Sequence, residues 1–376
     1  MKHIDPAMTF EKDLHSAVET PDFTALDRLY SGRCAKYGDY HAHSASGGTS
    51  DGKTTPEEWL SAMPALGIDF IGLMDHRQVR HQYLDCFTPE HFLFGTEPAS
   101  IWVGDVEKKL VCHYLMIFPE RENLETLLAM FPDVYEFEGG VEGHFAYKPI
   151  TRKRFLEIKD AVLSLGGAFV NAHPMQQIES TKLDDFYFGA YTANEVIYTG
   201  AFSAQGNPHT AANYRLWTEM LSAGMKVYNT ATADAHGAPT NSGVNTVYAA
   251  EAHCREYVKR LRAGDLNAGY IGLKMCIGTP GGGVTPMGGT TSYRDGMTLY
   301  LRADDAHPLL SSPDVPLRLD IHSDRGIVYS APLTTACLPF SCAVRVEPGR
   351  KFYRAEIVCE ETGAPAAIGN PIWMEG

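Results

Sequence analysis

The chain of 376 residues has no apolar stretch approaching the roughly 18–20 residues that cross a bilayer. Its longest apolar runs, such as residues 110–118, have the length of a strand and are interrupted, there by His113. It has no Lys/Arg-rich block either. The 32 Lys+Arg against 46 Asp+Glu give a formal charge of −14, which excludes a basic face that tracks a nucleic-acid backbone by displacing counterions. None of the eight cysteines (Cys34, Cys86, Cys112, Cys254, Cys276, Cys337, Cys342, Cys359) belongs to a C-x-x-C pair. Cys337 and Cys342, the one close pair, lack matching partners for a zinc knuckle, so reduced and mostly buried thiols are expected. Internal repeats and low-complexity segments are missing. The opening residues MKHIDPAMTFEKDLH lack the charged-then-apolar profile of a signal peptide, and a cytoplasmic protein is expected.

Histidine, by contrast, is present in 15 copies in an acidic chain. Scattered surface residues or a metal site would both explain that number, and spacing has to decide. The length exceeds the roughly 250–300 residues at which one core stops growing, so a large domain with a smaller one is expected.

Residues 1–35 read as a polar, partly helical lead-in. From residue 36 onward, predicted strands at 38–43, 68–74, 92–95, 111–118, 168–171, 195–198 and 227–230 alternate with predicted helices at 122–130, 152–165, 210–222 and 253–262. Thr55-Pro56-Glu57-Glu58 joins a capping box to a proline at the first helical position, a specific helix start. The alternation predicts βα units and a mostly parallel sheet or barrel over residues 36–277. Residues 132–148 read as an insertion able to cap a site. Gly278-Thr279-Pro280-Gly281-Gly282-Gly283 is a breaker. Beyond it, residues 278–376 show short alternating runs with the turn spacing of a small all-β sandwich-like domain.

The chemistry collects at strand ends. His41 and His43 are i and i+2 at the end of the first predicted strand, so both imidazoles face one way. A lone H-x-H pair does not define a metal site. The next strand ends in Asp75-His76, the following one near Glu97, and His113 lies within an apolar run. His173 closes another strand, and Asp234 and His236 repeat the i, i+2 spacing after the last. Parallel strands of a barrel bring such ends to one rim, where active sites are assembled. Core histidines would have to recur at matching places along the chain to explain the pattern otherwise.

In this order the motifs Gly38-Asp39-Tyr40-His41-Ala42-His43, Ser50-Asp51-Gly52, Met74-Asp75-His76, Gly95-Thr96-Glu97, Asn171-Ala172-His173-Pro174 and Ala233-Asp234-Ala235-His236-Gly237 resemble the polymerase and histidinol phosphatase superfamily over residues 36–275. The tail, with Phe352-Tyr353-Arg354-Ala355-Glu356 and Asn370-Pro371-Ile372, is similar to the β domain of its carbaryl-hydrolase-like branch. The loop between His43 and Asp51 is longer than that family's usual connection, and the 132–148 insertion aligns with no motif of it.

The resemblance implies a distorted (β/α)7 barrel, followed by a C-terminal all-β domain, with two or three divalent ions. One ion would take His41, His43, Glu97 and Asp234; a second Asp51, His76 and His236; a third Glu97, His113 and His173, with Glu97 bridging. Imidazoles mixed with carboxylates suit Zn, Mn or Fe, whereas Mg or Ca would prefer oxygens alone. The three carboxylates offset half of the +6 carried by three such ions, which favours an anionic substrate. The mechanism so implied is attack by a hydroxide bridging two ions, with no side-chain nucleophile.

Asp39, Asp75 and Glu195 are candidates to orient ligand imidazoles from behind, with turn or helix capping or a surface role the open alternative. Arg77, Arg80 and His81 are candidates to contact a phosphate, with solvated loop charges as the alternative. His144 and His209, in loops near the rim, are candidates to touch substrate. His3, His15, His91, His253, His307 and His322 are expected at the surface, and Tyr191 and Tyr198 read as packing.

Together these readings point to a metal-dependent phosphoesterase acting on a small, anionic phosphate ester, without nucleic-acid or membrane partners. Hydrolysis of an aryl ester or carbamate is the alternative that the tail supports. A non-catalytic metal-binding or recognition module is the alternative from another class, and an open polynuclear site argues against it.

Overall fold

The computed structural model describes residues 8–103, 109–135, 145, 149–198, 208–238, 243–310 and 314–375. Most of the expected insertion, residues 136–144 and 146–148 with His144 among them, lies outside these, as does His3.

Thr55 and Glu58 form the capping box read from the sequence: the Glu58 N–H donates to Thr55 Oγ1 at 3.2 Å and the Thr55 N–H to Glu58 Oε2 at 2.8 Å. The helix so started ends at Gly67, whose φ of 66° suits a residue without a Cβ. In chain order the helices are α1 (Thr24–Tyr30), α2 (Pro56–Leu66), α3 (Arg121–Met130), α4 (Arg152–Ser164), α5 (Pro174–Gln177), α6 (Leu183–Phe186), α7 (Pro208–Ser222) and α8 (Cys254–Ala263). No described helix is long and apolar enough to cross a membrane.

The strands up to residue 269 are β1 (Cys34–Ala42), β2 (Phe70–Leu73), β3 (Phe94–Thr96), β4 (Ala99–Val103), β5 (Lys109–Phe118), β6 (Ile150–Thr151), β7 (Ala168–Asn171), β8 (Thr192–Tyr198), β9 (Val227–Thr232), β10 (Asn245–Ala249) and β11 (Leu266–Gly269). β2, β7, β8 and β9 are buried along their whole length, as strands covered on both faces must be. β1 runs parallel to β2, and β7, β8 and β9 are parallel neighbours. Isolated parallel bridges Ala42↔Ala235, Ile71↔Phe92 and His76↔Glu97 tie these groups together. The product is a mixed α/β protein with a curled sheet. It is less parallel than the alternation suggests, because β5 runs antiparallel to β3, β4 and β7. A short link such as the one from β4 to β5 can only join antiparallel neighbours.

The later strands are β12 (Ile271–Gly278), β13 (Val284–Pro286), β14 (Thr290–Ser292), β15 (Thr298–Ala306), β16 (Pro316–Ser323), β17 (Gly326–Thr334), β18 (Phe340–Arg345), β19 (Phe352–Cys359), β20 (Pro365–Gly369) and β21 (Ile372–Glu375). β12, β13, β15 and β18 make one sheet. The others continue the sheet of β1 through β10, β11 and β20, so hydrogen bonding runs on past residue 278 without a break. The lead-in does more than form α1: the Asp13 and His15 N–H groups donate to Ile327 and Val328 of β17, and Val18 N–H to Ala343 of β18.

Two tail motifs act as glue. Arg354 donates to Glu356 and to the Tyr214 hydroxyl of α7, and its guanidinium lies 5.2 Å from the Trp217 ring centroid. Asn370 accepts from the Asn229 N–H at 2.7 Å at the start of β9 and donates to the Leu266 carbonyl at 3.2 Å in β11. Asn370 is wholly buried, so Asn370→Ala strands these backbone groups away from water. It is expected to cost about 1–3 kcal/mol, read as a lower denaturant midpoint with an unchanged slope.

Candidate metal centre

The strand ends converge on one carboxylate. Glu97, just past β3 and wholly buried, has its Oε2 3.1 Å from His41 Nε2, 3.4 Å from His43 Nε2 and 3.2 Å from His76 Nδ1. Its Oε1 lies 2.9 Å from His113 Nδ1 and 3.3 Å from His173 Nε2. The two imidazoles of the H-x-H pair meet as their spacing predicts, with Nε2 atoms 3.1 Å apart. Asp234 brings Oδ1 to 3.0 Å from His43 Nε2.

Asp51 is the outlying member. Its side chain is 57% exposed, with Oδ1 3.2 Å from His236 Nε2, 3.8 Å from His76 Nε2 and 3.9 Å from His43 Nδ1. His236 Nδ1 donates to the Asp234 carbonyl at 2.8 Å, which aims Nε2 at Asp51.

The nine side chains singled out in the sequence (His41, His43, Asp51, His76, Glu97, His113, His173, Asp234 and His236) are thus brought together. They form overlapping groups, with ligand atoms within 4.8 Å of one another: His41, His43, Glu97 and Asp234; His43, Asp51, His76 and His236; His76, Glu97 and His113; and His41, His173 and Glu195. His41, His43, His76 and Glu97 each join two groups; His76 stands with Glu97 and His113 where the resemblance implies His173, which groups here with His41 and Glu195. This donor set fits divalent transition ions. His43 Nδ1 and His173 Nδ1, both buried, find no hydrogen-bond partner among the described residues.

Charge is balanced within the cluster. Burial alone would push the Glu97 carboxyl up, but His41, His113 and His173 outweigh it and hold Glu97 well below the carboxylate range. Asp234 is likewise held down against burial by His41 and His43. Burial would lower His43, yet its bonds to Asp234 and Glu97 raise it to about 9. His41 too is raised well above its ordinary value against burial, by the carboxylates of Glu97, Glu195 and Asp234.

Behind the cluster stand groups that aim it. Glu195 Oε1 lies 2.8 Å from His41 Nδ1, which turns His41 Nε2 toward Glu97, and Glu195 Oε2 accepts the His173 N–H at 2.7 Å. Asp39 accepts the N–H groups of His41 and Ala233, both at 2.9 Å, lacing the end of β1 to the end of β9; burial pushes its carboxyl up to about 7. His173, Asp234 and Arg77 adopt φ of 28°, 47° and 51°, left-handed values that non-glycine residues keep only where the surroundings impose them.

Some expectations are corrected. Asp75 braces a loop: it accepts the Ser44 N–H and the Ser44 and Ser46 hydroxyls, stitching the start of the loop that carries Asp51. His81 is wholly buried with Nδ1 3.0 Å from Asp75 Oδ2, so it is an internal partner and is closed off from substrate. A cavity of about 320 Å³ beside His76 and His113 is lined also by Thr49, Arg77 and Ala99, and Arg80 is not among the described residues that line it. His15, His307 and His322, expected at the surface, are buried; His307 Nε2, for instance, donates to the Gly67 carbonyl at 2.7 Å. His209 is exposed, 6.0 Å from the Tyr198 ring. Asp320, His322 and Glu356 form another grouping, but Arg318 and Arg354 already hold its two carboxylates.

Sequence reasoning missed Tyr198, whose hydroxyl reaches Asp234 Oδ2 at 2.7 Å. Its place at the C-terminal end of a strand, where the ligands also sit, was the available signal.

No protein-family model matches the chain, and no curated protein does. Among solved structures, an amidohydrolase from Chromobacterium violaceum, determined with bound sulfate and no metal, overlaps 53% of this chain and 87% of its own at 16% identity, with a TM-score of 0.33. A likeness that slight carries no argument.

Because Asp75 and His81 are both wholly buried, Asp75→Asn removes the carboxylate that faces the His81 ring and loosens the loop that holds Asp51. A loss of about 1–3 kcal/mol is expected in denaturant titration at pH 7. Unchanged stability would show that the pairing contributes nothing.

Proposed function

We propose that the chain is a metal-dependent hydrolase of the polymerase and histidinol phosphatase type, acting in the cytoplasm on a small phosphorylated substrate. In this reading β1, β2, β3, β5, β7, β8 and β9 are the staves of a distorted (β/α)7 barrel, and residues 278–376 are a C-terminal β domain. The observation that carries it is the buried Glu97 carboxylate with five imidazoles within 3.4 Å. A buried arrangement of that kind has little structural use, since hydrophobic packing would stabilise the same space at least as well.

His41, His43, Glu97 and Asp234 would hold one ion, Asp51, His76 and His236 a second, and Glu97, His113 and His173 a third. When bound, Zn, Mn or Fe ions supply Lewis acidity and a lowered pKa for water at the site. The rest is done by the chain. Glu195 fixes the ring of His41, and Asp39 ties the strand ends that carry His41 and Asp234. Arg77, on the wall of the cavity beside His76 and His113, receives the anionic group, with the guanidinium as partner of its oxygens.

Metal-replete protein is expected to contain two or three equivalents of transition metal by elemental analysis. It should turn over phosphomonoesters faster than phosphodiesters, aryl esters or carbamates, and His41→Ala should fall to background. Fewer than two equivalents would sink the polynuclear reading. Faster turnover of aryl esters or carbamates would move the function to that class, and activity surviving in His41→Ala would place it at another site.

A further inference from the structure

The two carboxylate oxygens of Asp234 are divided between different partners. Oδ1 faces the ligand cluster, 3.0 Å from His43 Nε2 and 3.4 Å from His41 Nε2. Oδ2 accepts the Tyr198 hydroxyl at 2.7 Å. Asp234 itself sits at a φ of 47°, with its N–H bonded to Thr232 Oγ1 at 2.9 Å, so its backbone is held and the torsion of the carboxylate is its main freedom.

Tyr198 is well placed to remove that freedom. It is the last residue of β8, and Thr210 in the first turn of α7 grips it from both sides. The Thr210 hydroxyl accepts the Tyr198 N–H at 3.0 Å and donates to the Tyr198 carbonyl at 2.9 Å. Thr210 has no exposed surface and Tyr198 only 8%. The phenol ring stands edge-on to the His173 imidazole at 5.5 Å between centroids, wedged between two members of the cluster.

We infer that Tyr198 is a positioning residue: by occupying Oδ2 it presents Oδ1 alone to the His41, His43 and Glu97 group, and so sets the affinity of that group for a divalent ion. The inference rests on the metal reading above. Groups that orient ligands from behind typically tune affinity 10–100-fold, and Tyr198 does so through a hydroxyl that Phe lacks while keeping the ring.

The test titrates metal-stripped wild type and Tyr198→Phe with Zn²⁺ against a competing chelator, with Co²⁺ visible spectra and metal-free unfolding midpoints recorded beside it. Tyr198→Phe is expected to bind one equivalent about 10–100-fold more weakly, to leave the other equivalents unchanged and to alter the Co²⁺ bands. Its metal-free midpoint should stay close to wild type, since the ring remains in place. Thr210→Val, which keeps the phenol and loosens its backbone grip, is expected to weaken the same equivalent less; it carries the test alone if Tyr198→Phe does not fold. Wild-type affinity and spectrum in both variants would overturn the inference and leave the metal reading standing. Failure of wild type itself to take up Zn²⁺ would overturn both.

Discussion

A carboxylate with no exposed surface, set among imidazoles, is the constraint on which this molecule is built. Removing the Glu97 charge from water costs several kcal/mol unless partners compensate. Here His41, His43, His76, His113 and His173 all stand within 3.4 Å of it. Those partners come from the ends of β1, β2 and β7 and from within β5, so the cluster exists only while the curled sheet holds these elements around one point. The bridge His76↔Glu97 ties one ligand directly to that centre through the backbone.

Rigidity is supplied by acidic groups that face the backbone or the far side of a ring. Glu195 serves His41 and His173 at once, Asp39 spans β1 and β9, and Asp75 gathers the loop that leads to Asp51. Left-handed backbone at His173 and Asp234 persists because these bonds over-determine it. The cluster is therefore graded: His41 and Glu97 sit in its wholly buried interior, while Asp51, more than half exposed, closes it from a loop.

The C-terminal strands belong to the same framework. Asn370 joins β9 to β11, and Arg354 and Glu356 fasten α7 through Tyr214. Since Thr210, one turn before Tyr214 in α7, grips Tyr198, the tail helps to hold the helix that reaches the cluster. This explains why the hydrogen-bonded sheet runs across residue 278, where composition changes abruptly: glycines and a proline mark a turn in the chain, and pairing between β11 and β20 is a matter of the folded molecule.

The sequence by itself determined the residue types and their order. The capping box at Thr55 follows from local bonds, the H-x-H geometry from the period of a strand, and the recurrence of His, Asp and Glu at strand ends from the rim that such ends share. Only the tertiary structure decided the partners. Glu195 meets His41 across 154 positions of chain, Tyr198 meets Asp234 across 36, and His81, polar and next to a ligand-bearing segment, turns inward to Asp75. Local pattern carries the direction of a side chain within its own element. What stands opposite depends on how distant elements pack, and a few ångströms there separate a ligand, a brace and a buried internal partner.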